Sequence, residues 1–292
     1  METGAVLGID VGFSERRATT CLCLLEWSDN LVRLAFRKVG TDAHARSAAL
    51  TSLIRKSMHL AAVAIDGPLT RGLRIVPHYR VADALLSHGV FQKRGKPGQT
   101  SSPIGQKLHQ HATWLAKLVL GEAARGSFSI ARATHIESID EGAVVEAFPN
   151  QFLAALIDEG KLPPLHRDAS DRYWEQLARV DGLNGLLSVL LPNHRFEITP
   201  EQIVDHDERA AVVCALTGLA LAIGVGVGVG DPEDGDICFP PARAWGASIS
   251  GARPWVEEAL RGGVTALRTA SKPHIANQAH ARVRLHKNYW IS

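Results

Sequence analysis

The sequence has few of the residues that build disulfide and zinc sites. Its 292 residues include four cysteines, Cys21, Cys23, Cys214 and Cys238. They form no CxxC pair, and no histidine lies at a spacing from them that suits zinc. We therefore expect four reduced and mostly buried thiols, as in a cytoplasmic protein.

Motifs of several enzyme classes are also missing. The sequence contains neither HExxH nor GxSxG, and its Gly/Val run at 224–230 lacks the Lys-Ser/Thr that completes a P-loop. The first ten residues carry no basic segment ahead of their apolar run, so no signal peptide is predicted. These absences disfavour metalloproteases, serine esterases and P-loop NTPases.

One uncharged segment, 210–229, is long enough to span a bilayer. It is rich in alanine and glycine, however, and acidic residues flank it where a membrane span usually has Lys or Arg. The segment is predicted to be a buried core helix that leads into a glycine-rich turn, and no membrane contact is expected.

Charge is distributed unevenly along the chain, although the net charge is only +2. Residues 71–136 contain ten Lys/Arg and two Asp/Glu, residues 137–241 contain six and nineteen, and residues 242–292 contain eight and two. This distribution is typical of a protein that binds a polyanion in one place and cations in another. The alternative is an ordinary surface whose charges are arranged by chance.

The hydrophobic pattern predicts an α/β protein. Strands at 4–11, 18–26 and 31–38 are expected to form a meander. A helix over 42–57, with Thr41 as its N-cap, leads to a buried strand at 61–66 that is predicted to return parallel to the first strand.

The rest of the chain divides into an insertion, the end of the domain and an extension. The insertion, at about 67–136, is basic and helical, with helices near 78–88 and 104–120. Later elements are expected as strands at 142–149 and 236–240 and helices at 150–159, 169–180, 182–191, 200–224 and 254–262. We therefore predict one domain at 1–241, followed by a basic extension at 242–292 that packs on it or is partly flexible.

Three of the predicted strands end in or near a carboxylate: GAVLGIDVGF at Asp10, AAVAIDGPLT at Asp66 and GAVVEAFP at Glu146. If the first and fourth strands are parallel neighbours, about 4.8 Å apart, Asp10 and Asp66 lie side by side at one sheet edge. Such carboxylates repel each other and lose hydration, and a divalent cation removes both effects. Ligand sets made only of oxygen favour Mg²⁺ or Mn²⁺.

The long helix predicted near 200–224 can bring a fourth acid. Small and apolar residues repeat along one of its faces at spacings of three and four: Ala210, Ala211, Cys214, Gly218 and Leu221. This face lets the helix approach the sheet closely, and Asp207 heads it. Asp205 lies about 200° away around the helix axis, so only one of the two can point at the site. Asp207 is the predicted ligand and Asp205 a supporting residue.

Each acid also has a purely structural alternative. Asp10 and Asp66 stand at glycine-containing turns and could form Asx-turns. Glu146 could pair with an arginine, and Asp207 could be a first-turn residue favoured by the helix dipole. The four acids form a site only if the topology brings them to one edge.

The segments GIDVG, AIDGPL, RVAD, VVEAFP, HDERAAVVCALTG and GDPEDGDICFP follow one another over roughly residues 4–240. This ordered set resembles the bacterial family called domain of unknown function 429, whose members are predicted nucleases with a ribonuclease H-like fold. The resemblance implies a mixed five-stranded sheet flanked by helices. It also implies that Asp10, Asp66, Glu146 and Asp207 are catalytic, metal-binding acids.

One position departs from the pattern. Related resolvase-like sequences often carry a second acid three residues into the helix, where this chain has Ala210. The fourth ligand and the occupancy of two metal positions therefore stay open, and His206 or Glu208 could substitute. Arg80 and Asp83 look like a further family feature, although they could form only a helical i,i+3 pair.

The implied reaction is hydrolysis of phosphodiester bonds in nucleic acid. Two metal ions about 3.5–4 Å apart activate a water and neutralise the leaving oxygen, and Asp10 is the expected bridge between them. The residues expected to hold the phosphate backbone, without reading its sequence, are Arg80, Lys93, Arg94, Lys96 and Lys107. For the loop around 93–96, a solvated segment without a ligand is the alternative.

Two other functions compete with this interpretation. Actin-like ATPases and sugar kinases also open with an Asp-x-Gly strand, but they duplicate the domain and generally need a longer chain. A non-catalytic scaffold that binds nucleic acid is the second alternative, and the presence of all four acids argues against it. The sequence leaves the oligomeric state and the type of nucleic acid open.

Overall fold

The chain begins with the meander that its hydrophobic pattern predicts. In the computed structural model, β1 is Gly4–Asp10, β2 is Thr20–Ser28 and β3 is Leu31–Val39, and each pairs antiparallel with the next. The turn between β2 and β3 places Asp29 and Asn30 at φ of 50° and 63°. This left-handed conformation is one that Asp and Asn adopt more readily than most residues.

The structure describes most of the chain, namely residues 3–70, 79–87, 89–92, 100–132, 142–164, 169–231, 234–270, 282–285 and 289–291.

A helix and two strands follow the meander. α1 is Ala43–Leu53, and its N-cap is Asp42 instead of the predicted Thr41, because the Asp42 carboxylate accepts a hydrogen bond from the first turn. After the short β4 (His59–Leu60), β5 (Ala62–Asp66) pairs parallel with β1. The predicted parallel return of the chain is confirmed.

The predicted insertion is mainly helical. Its described elements are α2 (Val81–Leu85), α3 (Gly89–Gln92), α4 (Pro103–Ala124) and β6 (Ser129–Ile130), and β6 pairs with β4 outside the main sheet. β7 (Val144–Ala147) then joins the main sheet, parallel to β5.

The next elements cover the chain up to residue 239. They are α5 (Pro149–Ala155), α6 (Ala169–Arg179), α7 (Gly182–Leu190), β8 (Arg195–Phe196), α8 (His206–Ala222), β9 (Val227–Asp231) and β10 (Gly235–Phe239). α8 begins later than predicted, because Pro200–Gln202 forms a separate 3-10 turn and Asp205 is the N-cap of α8.

The main sheet is larger than the five strands predicted. Within the described residues it has ten strands in the order β12-β11-β9-β10-β7-β5-β1-β2-β3-β8, with parallel and antiparallel pairs. The extension supplies α9 (Trp255–Ala270), β11 (Arg282–Leu285) and β12 (Tyr289–Ile291), and β11 pairs with β9. The protein is therefore of the predicted α/β class, with helices flanking a mixed sheet.

Part of the Gly/Val run is a strand and not the predicted turn. β9 pairs antiparallel with β10, and its residues are buried. A Cβ atom on Gly228 would lie 2.9 Å from the Asp236 carboxylate, so glycine lets the two strands and this side chain fit together.

α8 packs closely on one face of the sheet, as its small-residue face predicts. A Cβ atom on Gly8 would lie 2.2 Å from both Ala211 O and Ala215 N, so the helix backbone rests directly on β1. α1 and α4 contribute to a second cluster of buried side chains with the alternate residues of β1 and β5. The four cysteines are free and buried, as predicted. None of the helices in the described part is long and apolar enough to cross a membrane.

Candidate functional site

Asp10 and Asp66 lie side by side at the carboxyl ends of two parallel strands. Ile9 pairs with Ile65 across β1 and β5, so the residues that follow them, Asp10 and Asp66, occupy neighbouring positions on the same face. Both side chains are half-buried. Two carboxylates at neighbouring positions repel each other and lose hydration, so a cation favours the form in which both are charged.

The electrostatics of this pair agree with its geometry. Burial raises the pKa of Asp10 well above its usual range, and the negative charges of Asp66 and Asp207 raise it further. Burial, followed by the charge of Glu146, raises the pKa of Asp66 to about 7. Both shifts mean that the folded protein resists placing two charges at this edge, which is the situation that a bound cation relieves.

Asp207 is brought to the same region by α8, but a lysine holds it. Lys38 Nζ donates to Asp207 Oδ2 at 2.7 Å and to Asp205 Oδ1 at 2.8 Å. Asp205 also caps α8 through Glu208 N. Burial lowers the pKa of Lys38, but its hydrogen bonds to the two aspartates outweigh this, and its pKa is raised.

Lys38 is a residue of this site that the sequence interpretation missed. Asp10 pairs with Cys21 across β1 and β2, and Cys21 pairs with Lys38 across β2 and β3. Since directly paired residues share a face, Asp66, Asp10, Cys21 and Lys38 form one row across four strands. The register of the meander is the signal that could have found Lys38, because it places a cation two strands from Asp10.

Glu146 does not join the other acids. Across β5 and β7 it pairs with Ile65, whereas Asp66 pairs with Ala147. Because successive side chains of a strand point to opposite faces, Glu146 lies on the face opposite to that of Asp66. The prediction that all four acids converge is therefore wrong for Glu146. Its position in β7 is one residue before the one that pairs with Asp66.

A buried ion-pair network holds Glu146 on its own face. Arg80 donates to both oxygens of Glu146 at 2.6 Å, and to both oxygens of Asp83 at 2.8 and 3.0 Å. Leu69 N donates to Glu146 Oε2, and Thr100 Oγ1 donates to Asp83. Glu146 thus pairs with an arginine, which is the structural role considered above as the alternative to metal binding.

The same network changes the role of Arg80. Its side chain is fully buried, so it does not face a nucleic-acid backbone as predicted. Burial lowers the pKa of Arg80, but Glu146 and Asp83 more than offset this and raise it. Arg80 and Asp83 hold the chain at 80–83 against the end of β7.

The other predicted residues fall in different places. Lys93, Arg94 and Lys96 lie outside the described residues. Lys107 is exposed on α4. His206, the first residue of α8, has its Nδ1 3.0 Å from Asp171 Oδ2, and its positive charge when protonated lowers the pKa of Asp66.

The acids at this sheet edge provide two of the oxygen ligands that a cation needs, but not a complete ligand set. In the described ranges, no three His, Cys, Asp or Glu side chains converge closely enough to hold a metal ion. Asp10 and Asp66 occupy neighbouring strand ends, and within the same ranges neither has a Lys or Arg within ion-pair distance. Oxygen donors of this kind suit Mg²⁺ or Mn²⁺, and Asp207 would be the third.

We expect the substitution Asp66→Asn to stabilise the metal-free protein at high pH. Folded Asp66 keeps its proton up to about pH 7, whereas the unfolded chain releases it near the ordinary pKa of 3.8. The folded state therefore binds more protons between these values, and its stability falls as the pH rises through them. Melting temperatures in EDTA should show the variant above the wild type at pH 8, with the difference closing near pH 4. A difference that is independent of pH would contradict the assignment.

Compared with models of protein families, with curated proteins and with solved structures, the chain shows no significant match. Its function is therefore inferred from its own residues.

Proposed function

We propose that the protein is a metal-dependent nuclease that hydrolyses phosphodiester bonds with Mg²⁺ or Mn²⁺ at Asp10 and Asp66. The observation that carries the proposal is the neighbouring position of these two acids at the ends of adjacent parallel strands, where the charges of Asp66 and Asp207 both act on Asp10. A structural role alone does not explain two neighbouring acids whose pKa values are both raised, because such groups destabilise the fold at neutral pH.

The order of the central strands supports a ribonuclease H-like fold. The segment β3-β2-β1-β5-β7 contains an antiparallel meander followed by two strands parallel to β1. In this proposal the chain is related to the family called domain of unknown function 429, and the flanking strands are additions to the common sheet. The fold sets the position of the acids but does not define the reaction.

Each residue of the site has a distinct part in the proposed reaction. Asp10 and Asp66 would hold the metal, with Asp207 as the third acid. A metal held there would polarise a phosphate oxygen of the substrate and lower the pKa of a bound water. Lys38 holds the Asp207 carboxylate in place and adds a positive charge where a phosphate would approach.

The test is cleavage of a panel of single-stranded, double-stranded and branched DNA and RNA with Mg²⁺, Mn²⁺ or EDTA. We expect cleavage with a metal and none in EDTA. Cleavage that persists in EDTA, or no cleavage of any substrate, would contradict the proposal. Hydrolysis of ATP without nuclease activity would favour the actin-like alternative instead.

A further inference from the structure

A cluster of aromatic and cationic side chains lies at the same end of the sheet as the two acids, on α1, on α4 and on the loop after β1. Phe13 and His111 are stacked, with ring centroids 6.1 Å apart and an interplanar angle of 22°. Lys107 Nζ lies 5.5 Å from the centroid of the Phe13 ring. The guanidinium of Arg46 lies 5.4 Å from the Trp114 ring, which is 36% exposed. We call Phe13, Lys107, His111 and Trp114 the cationic-aromatic surface, and Arg46 lies buried beneath it.

Both loops that leave the acids lead to this surface. Phe13 is three residues beyond Asp10, so their Cα atoms are at most about 11 Å apart. His109, on the same helix as His111, has its Nδ1 2.9 Å from Pro68 O, two residues beyond Asp66. The cationic-aromatic surface therefore begins within about 11 Å of Asp10, at the end of the sheet where both acids lie.

Arg46 adds positive charge beneath the surface without facing the ligand itself. The side chain is buried, and it donates to Gly12 O, Gly40 O and Thr20 Oγ1. In the part of the chain that the structure describes, no carboxylate lies within ion-pair distance of it, and burial lowers its pKa. Burial also lowers the pKa of His111, and the positive charges of Arg46 and Lys107 lower it further, as expected in a region of positive potential.

We propose that the cationic-aromatic surface binds single-stranded nucleic acid, so that the strand to be cut runs from Trp114 and Phe13 toward Asp10. This inference rests on the proposed function and narrows its substrate class. Proteins bind single strands by combining basic side chains for the phosphates with aromatic rings for the bases. In a duplex the base faces are already stacked on each other, so exposed rings have little to receive.

The test measures binding in EDTA, where no metal-dependent cleavage occurs. Fluorescein-labelled oligothymidylate and oligouridylate of about 16 nucleotides are compared with duplexes of the same length by fluorescence anisotropy. We expect tighter binding of a single strand than of its duplex. The variant Trp114→Leu should weaken single-strand binding about tenfold, and Trp114→Phe should retain most of it, because every aromatic ring offers a stacking face.

Two lysine variants provide a second test, which stays valid even if the Trp114 variants do not fold. Lys107→Ala should weaken binding and reduce the slope of log affinity against log salt by about 0.7, the value for one phosphate of a single strand. Lys56→Ala removes the same charge from an exposed site beyond the far end of α1 and should change neither quantity. Melting temperatures check that each variant is folded.

The inference is overturned if the duplex binds as tightly as the single strand, or if neither binds. It is also overturned if Lys107→Ala behaves like Lys56→Ala. If only the proposed nuclease function is wrong, the result is different from these. Binding in EDTA would then follow the expected pattern, but the cleavage panel would show no metal-dependent activity.

Discussion

The substitution Asp10→Asn is expected to lower metal-dependent cleavage about a thousandfold while the protein stays folded. A bound metal contributes several kcal/mol to the stabilisation of charge in the transition state, and each 1.36 kcal/mol corresponds to a factor of ten in rate. Asparagine keeps the shape of the side chain and one oxygen donor but removes the charge that attracts the cation. Since the pKa of Asp10 is raised in the fold, removing its charge does not destabilise the metal-free protein.

The matched control is Asp29→Asn. Asp29 is exposed in the turn between β2 and β3, at the opposite end of the sheet, and asparagine also tolerates its positive φ. Single-turnover cleavage of the preferred substrate should be unchanged in this variant. If Asp10→Asn and Asp29→Asn cleave equally well, Asp10 is not a metal ligand of the reaction.

The substitution Arg80→Met is expected to lower the free energy of unfolding by about 3–5 kcal/mol. Methionine fills much of the same volume, but it leaves Glu146 and Asp83 buried without their shared positive partner. Removing one member of a buried ion pair has this effect because the remaining charges have lost both water and their counter-charge. Urea denaturation at pH 7 measures the loss.

An exposed ion pair provides the comparison for Arg80. Lys161 and Asp158 are also three residues apart and form a contact of 2.7 Å, but the Lys161 side chain is 73% exposed. Lys161→Met should therefore lower the free energy of unfolding by less than about 1 kcal/mol. If Arg80→Met has an equally small effect, the network of Arg80 does not stabilise this part of the fold.

The sequence is sufficient to predict that Asp10 and Asp66 are neighbours, because it indicates both where the two strands end and that they run parallel. Two apolar runs of similar shape each end in an aspartate, and the meander followed by a helix predicts that the second run returns parallel to the first. A parallel pair then places equivalent strand ends together. The structure confirms that pairing.

The same reasoning cannot predict the sheet face on which the Glu146 side chain lies. The run GAVVEAFP is apolar on both sides of the glutamate, so the pattern does not reveal which face of the sheet the side chain takes. A shift of one residue changes the face, and only the register with β5 fixes it. The partner of Glu146 is Arg80, 66 residues earlier in the chain, and their contact depends on the fold of the insertion.

Lys38 and the Gly/Val run were missed for related reasons. Lys38 looks like one more exposed cation of an alternating strand, and it reaches the acids only because three strands are in register. Glycine has low strand propensity, so the run favours a turn when read alone. In the fold, close packing against Asp236 requires glycine in β9.

Isothermal titration of the metal-free protein with Mn²⁺ at pH 7 tests the central claim most directly, because it depends on neither substrate nor cleavage. We predict that Mn²⁺ binds to the wild type and to Asp29→Asn, and that Asp10→Asn and Asp66→Asn bind it at least tenfold more weakly. Binding should also raise the melting temperature of the wild type. If the wild type binds no Mn²⁺, or if all four proteins bind it equally, the carboxyl pair is not a metal site.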